Sequence, residues 1–204
     1  MLVKNRYSGK TREEAINNAK IALQELEKDL YIKEVEVKNG LFNKKVEIEV
    51  IRHDDVIEYI KEYLKELITN MGLTCNLEVK KGENGVNITV ISDNNSILIG
   101  KNGRTLTALN LVLKQTIYNE IGEYFLFNLD IGEYKLAREH KLESLAKRTA
   151  REVASSKVAA KLDPMNSYER RIIHTVLADN KKVITESEGE EPNRYVVIKP
   201  KEDE

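Results

Sequence analysis

Apolar residues come in short bursts in this 204-residue chain: no uninterrupted apolar stretch exceeds a few residues, and the bursts recur at helix or strand spacing. Such a pattern cannot span a bilayer, which takes about 20 apolar residues in a row, nor does it suggest one large core. It calls for one to three small, solvated domains, each with its own core. Hydrophobic side chains at 41% supply enough apolar surface for those cores and exclude long disorder. The N-terminus MLVKNRYSGK lacks the apolar segment of an export signal, so the reading is a cytoplasmic chain without a membrane span. One cysteine, Cys75, and three histidines make neither an intramolecular disulfide nor a zinc ligand set. No metal and no cofactor are expected.

The net charge of −1 hides an uneven distribution. Residues 101–182 carry 15 basic and 10 acidic side chains, and residues 183–204 carry 3 and 7. The basic excess sits between Tyr134 and Lys161, where Lys135, Arg138, Lys141, Lys147, Arg148, Arg151, Lys157 and Lys161 face only Glu139, Glu143 and Glu152. An isolated basic helix is as readily a solvated face as a phosphate track, so its neighbours must decide.

Along the chain, a short strand around Leu2–Tyr7 precedes a helix opened by Thr11 with Glu14 at capping-box spacing. Val35/Val37 and Val46/Ile48/Val50 then alternate as two strands. A helix from Asp54, with Asp55 and Glu58 as its capping pair, buries Val56, Ile57, Ile60, Leu64, Leu67 and Ile68 and stops near Met71-Gly72. Leu77/Val79 and Val86/Ile88/Val90 read as antiparallel strands around the turn Gly82-Glu83-Asn84-Gly85. A short helix ending in Ile99, the run Gly100-Lys101-Asn102-Gly103-Arg104, a long amphipathic helix and a strand around Phe125–Ile131 follow. The fold class is α+β.

A Gly-x-x-Gly match alone is weak, and the chain holds its own control. Gly82-Glu83-Asn84-Gly85 lies between strands and offers an acid, which repels phosphate. Gly100-Lys101-Asn102-Gly103 instead lies between an apolar segment and a helix N-terminus, where backbone amides point outward and Lys101 and Arg104 add cations. No nucleotide-hydrolysing P-loop sequence is present. The helix-strand-strand-helix-GxxG-helix-strand order over 54–132 resembles a type II KH domain, which implies that Gly100, Lys101, Asn102, Gly103 and Arg104 contact the backbone of a single strand.

After Gly132 the basic helix runs on to Val158 and Ala159 and breaks at Asp163-Pro164. A further helix opens at Asn166, with Glu169 at capping-box spacing and Ile172, Ile173, Val176 and Leu177 buried. At 100° per residue Arg170 and His174 fall on the flank of that face, with their tips expected in water, as joint donors to one phosphate. The segment from Asn166 to His174, with Thr185-Glu186-Ser187-Glu188-Gly189-Glu190-Glu191-Pro192 and the strand Arg194–Ile198, is similar to the single-stranded-nucleic-acid domain named for its Arg and His with three residues between them. That likeness implies binding by Arg170, Arg171 and His174; from the charge count, Arg138, Lys141, Arg148 and Arg151 of the basic helix are the supporting cations. The acidic segment 185–192 reads as a loop that fixes strand geometry.

The succession of an α/β unit (1–51), a KH type II unit (54–132) and the Arg/His unit (134–204) resembles the bacterial Jag family, also called KhpB. The loop Asn39–Lys44 is shorter and poorer in glycine than that family's N-terminal domain suggests. The resemblance implies a cytoplasmic regulator or chaperone of single-stranded RNA, or of single-stranded DNA, tied to cell-wall synthesis and cell shape. It also implies a small single-KH partner protein (KhpA-like) and a link to the membrane-protein insertase. Two other readings compete: an adaptor docking through its N-terminal domain, and a metal-free RNase using His174 as base with Arg170 as clamp. The second lacks a spaced acid or base to complete it.

Overall fold

A computed structural model describes residues 2–39, 44–82 and 85–201, with 36–39 and 44 described by backbone alone. The loop reading at 40–43 and the turn residues Glu83 and Asn84 lie outside the described residues. The sequence forms strand β1 (Asn5–Gly9), helix α1 (Arg12–Leu23) and strands β2 (Leu30–Asn39) and β3 (Lys44–Arg52). The three strands pair antiparallel in the order β1-β3-β2. Thr11 caps α1 by accepting from the Glu14 amide at 3.2 Å, and Ala15, Ile16 and Ala19 close on Val46, Ile48 and Val50. β1 starts three residues later than the pattern suggested; Leu2 is nonetheless buried.

Helix α2 (His53–Asn70) starts one residue earlier than expected, and Asp55 is not its cap. The carboxylate instead takes two bonds from the Arg52 guanidinium, at 2.9 and 2.6 Å, while Glu58 pairs with Lys61 at 2.7 Å. A charge-assisted fork outcompetes a single amide for a carboxylate within reach of both. Strands β4 (Cys75–Gly82) and β5 (Gly85–Ser92) form the expected antiparallel pair. Helices α3 (Asn95–Ile99) and α4 (Arg104–Ile121) carry the chain over to β6 (Phe127–Ile131), which lies parallel to β5. Leu98, Leu106, Leu113 and Ile117 are buried on those helices, as are Val86, Ile88, Val90, Leu129 and Ile131 on the strands.

The chain divides after Gly132 into two compact units, each with its own packing. In the second, helix α5 (Tyr134–Ser156), β7 (Ala160–Lys161), helix α6 (Ser167–Leu177), β8 (Val183–Glu188) and β9 (Tyr195–Pro200) build two helices on a sheet of order β7-β9-β8. Leu142, Ala146, Val153, Ile173, Leu177, Val183, Val196 and Ile198 make its core. α5 ends earlier than its apolar pattern suggested: Lys157 takes a left-handed cap, its amide donating to the Val153 carbonyl at 2.9 Å, and Val158 is exposed. The capping box at α6 is complete, with the Glu169 amide on Asn166 Oδ1 at 3.0 Å and the Asn166 amide on Glu169 Oε2 at 3.1 Å. Helices with two antiparallel sheets and one mixed sheet make the α+β class expected of the chain.

Candidate nucleic-acid interface

In the first unit the candidate site is the link from α3 to α4. Gly100 sits at φ +70°, and a Cβ there would lie 2.1 Å from Thr105 Oγ1 and 3.0 Å from the Thr105 amide nitrogen. The loop is thus laid directly on the first turn of α4, with no room for a side chain between them. Asn102 (φ 53°, ψ 35°) and Gly103 (φ 74°) continue in the left-handed region, which asparagine and glycine tolerate best. The Arg104 amide closes the preceding turn on the Lys101 carbonyl, and beyond it no side chain caps α4 and no acid stands in its first turn, so the positive end of an 18-residue helix dipole meets no protein charge of opposite sign there. Lys101 and Arg104 are exposed beside them, and among the described residues neither has a carboxylate partner. Ile97 is half exposed in α3, while Leu98 is fully buried.

This geometry makes Gly100→Ala a sharp test. The methyl group would drive into Thr105 at a positive φ, so unfolding free energy should fall by roughly 1–3 kcal/mol. Urea unfolding followed through the first unit checks it; an unchanged midpoint would mean that the loop is not built on this approach to Thr105.

In the second unit the sequence-chosen residues have less freedom than expected. Arg170 is 8% exposed, not solvated at its tip: Nη2 donates to Glu191 Oε1 at 2.6 Å, and Nε is buried without a partner. His174 Nδ1 lies 2.6 Å from Thr185 Oγ1 and Nε2 lies 2.8 Å from Ser187 Oγ. The flank of α6 is wet only if nothing covers it, and β8 together with the turn after it does cover it. Segment 185–192 is therefore more than a strand-shaping loop, since it supplies the partners of both residues. A signal for this was present, because Thr185 and Ser187 stand two apart and so share one face of a strand. Arg171 is exposed, with no carboxylate partner among the described residues.

Burial, and secondarily the Arg170 charge, push the His174 pKa below its ordinary value. The imidazole is therefore held neutral, donating from one nitrogen and accepting at the other. As pH falls, the unfolded chain takes up the proton first, so this group's stabilisation is complete above about pH 6.5 and is lost progressively below it. Between pH 7 and 5 the urea midpoint of the wild type should fall more steeply than that of His174→Gln. His53, also shifted down by burial, contributes equally to both curves and cancels. Parallel curves would contradict this placement of His174.

The supporting cations divide into two groups. Arg138 is structural: Nε donates to Glu169 Oε1 at 2.7 Å, and the two side chains are 17% and 6% exposed. Lys141, Arg148 and Arg151 are exposed on α5 and, with Arg138, Ser144 and Leu145, line a shallow hollow of about 400 Å³ that no acid enters.

The R-3-H domain family, the Arg/His class of the sequence reading, matches residues 140–200, which covers α6, its Arg170/His174 pair and the strands that hold them. Over 197 residues the chain is 35% identical to the RNA-binding protein KhpB of Clostridium symbiosum, a match covering 94% of this chain and 89% of that one. The Bacillus subtilis protein of the same name is 32% identical over 79% of each chain. The Lactiplantibacillus plantarum one is 34% identical over 72% of this chain but only 45% of its own length. The chain belongs to the KhpB family. Among its described residues, no helix is long and apolar enough to cross a membrane.

Proposed function

We propose that this protein binds single-stranded RNA through two sites, one in a KH type II domain at 54–132 and one in the Arg/His domain at 134–204. An N-terminal α/β domain at 1–51 precedes them. The observation that carries the reading is the glycine loop on the uncapped N-terminus of α4. A helix N-terminus with neither a side-chain cap nor an acid in its first turn, beside exposed Lys101 and Arg104 without a carboxylate partner among the described residues, suits a phosphodiester backbone. Ile97 adds apolar surface for a base nearby. In the second site Arg170 offers the Nη2 donor that now meets Glu191, Arg171 an exposed guanidinium, and Lys141, Arg148 and Arg151 an acid-free stripe. His174 acts here by fixing α6 to β8 and not as a charge. With both ring nitrogens engaged by hydroxyls, it is a poor general base, which favours binding over RNA cleavage. The relatives named RNA-binding protein KhpB support the substrate class.

On this reading the chain is a cytoplasmic RNA chaperone or post-transcriptional regulator. A role in cell-wall synthesis and cell shape, with a small single-KH partner, rests on family likeness. Fluorescence anisotropy with a labelled single-stranded RNA and its duplex, each across a salt series, tests the proposal. Single strands should bind more tightly, with a steep salt slope, and remain intact. Equal affinity for both forms, or cut RNA, would overturn it.

Glu191 occupies the Arg170 donor that a phosphate oxygen would take. Glu191→Gln, which leaves the guanidinium less neutralised, should tighten single-strand binding about threefold, the scale of one partly exposed ion pair. Weaker binding would show that Glu191 orients Arg170 for RNA and does not compete with it.

A further inference from the structure

A cavity of about 580 Å³ opens in the first unit, away from the glycine loop, lined by Tyr31, His53, Tyr124, Phe125, Glu25 and Asp29 among others. Its wall is built. Gly85, at φ +108°, brings the Leu126 carbonyl so close that a Cβ would sit 2.4 Å from it, and the Val86 amide bonds that carbonyl at 3.0 Å. This approach fixes the segment Tyr124–Leu126 at the cavity mouth, with Tyr124 81% and Leu126 70% exposed around a buried Phe125. Inside, the rings of Tyr31 and His53 lie 4.6 Å apart, and Phe125 stands 6.3 and 6.1 Å from them.

The charge of the lining points to the ligand. Lys81 is paired with Asp54 at 2.5 Å, and the neighbouring Arg52 is bonded to Asp55, with Glu25 near enough to act on its charge. Glu25 and Asp29 form no ion pair among the described residues, and Glu123 stands close enough to act on Tyr31 and His53. Aromatic walls with surplus carboxylates repel a phosphodiester strand. They suit a guanidinium or ammonium, which gains from ring contact and from ion pairs together. We propose that this cavity binds an arginine or lysine side chain of a basic peptide segment on a protein partner, at a site distinct from the RNA contacts.

The test is NMR of the full-length protein, titrated with the capped tripeptide Arg-Gly-Arg, with Glu-Gly-Glu and with a short oligouridylate. The Arg peptide should shift the Tyr31, His53 and Phe125 ring signals saturably, and the other two should not. Glu25→Gln/Asp29→Asn should weaken the Arg peptide about fivefold while leaving spectral dispersion intact, the scale of two partly exposed ion pairs. Tyr124→Ala, at an exposed position, should also weaken it. Ring signals that ignore the Arg peptide at millimolar concentration would overturn the proposal, as would ring signals that move with the oligonucleotide. Neither result depends on whether the glycine loop binds RNA.

Discussion

Replacing Arg138 by alanine should destabilise the C-terminal unit by about 3 kcal/mol, the range found when one partner of a buried ion pair is removed. The cause is the carboxylate left behind. Glu169 is 5% exposed and accepts both from the Arg138 Nε and from the Asn166 amide, so without Arg138 a charged group stays buried with half its partners. Chemical unfolding of the full chain, read through the second unit, measures the loss. Lys141→Ala, one turn further along α5 but exposed, should stay within about 0.5 kcal/mol of wild type. The paired substitution Arg138→Met/Glu169→Gln removes both charges and keeps a glutamine in the capping box, so it should recover most of the loss. If Arg138→Ala instead weakens RNA binding and leaves the unfolding midpoint alone, Arg138 belongs to the electrostatic track after all.

The second large effect is on binding. Lys101→Asp/Asn102→Asp should weaken single-stranded RNA at least tenfold near 100 mM salt, since it turns a cationic loop anionic at the amides of α4. The plot of log affinity against log salt should flatten by roughly 0.7 for each phosphate that the protein no longer neutralises. Stability should hold, because Lys101 is exposed and aspartate, like asparagine, tolerates the left-handed backbone at 102. Unchanged affinity would place the RNA elsewhere.

Local signals in the sequence were legible, and contacts between distant elements were not. The Asn166/Glu169 box, the Thr11 cap and the apolar faces of α2 and α6 follow from short-range spacing, and the structure contains each. The glycine loop was distinguished from the Gly82–Gly85 turn by the elements on either side of it. What spacing could not reveal was the neighbour on a helix flank. Angles along α6 placed Arg170 and His174 at the border of the apolar face, and only the return of β8 decides whether that border is wet. Arg138 looked like one cation among eight because its partner lies 31 residues away on another helix. Asp55 shows the reverse error, a cap expected from spacing and displaced by a guanidinium three residues before it.

The most direct test of a two-site RNA binder is photo-crosslinking of the full chain to a short 4-thiouridine RNA, with the attachment sites mapped by mass spectrometry. Crosslinks should fall on the peptides bearing Lys101–Arg104 and on those bearing Arg170–His174, and competing unlabelled single strands should erase both. Crosslinks confined to residues 1–52, or absent from the glycine loop, would contradict it.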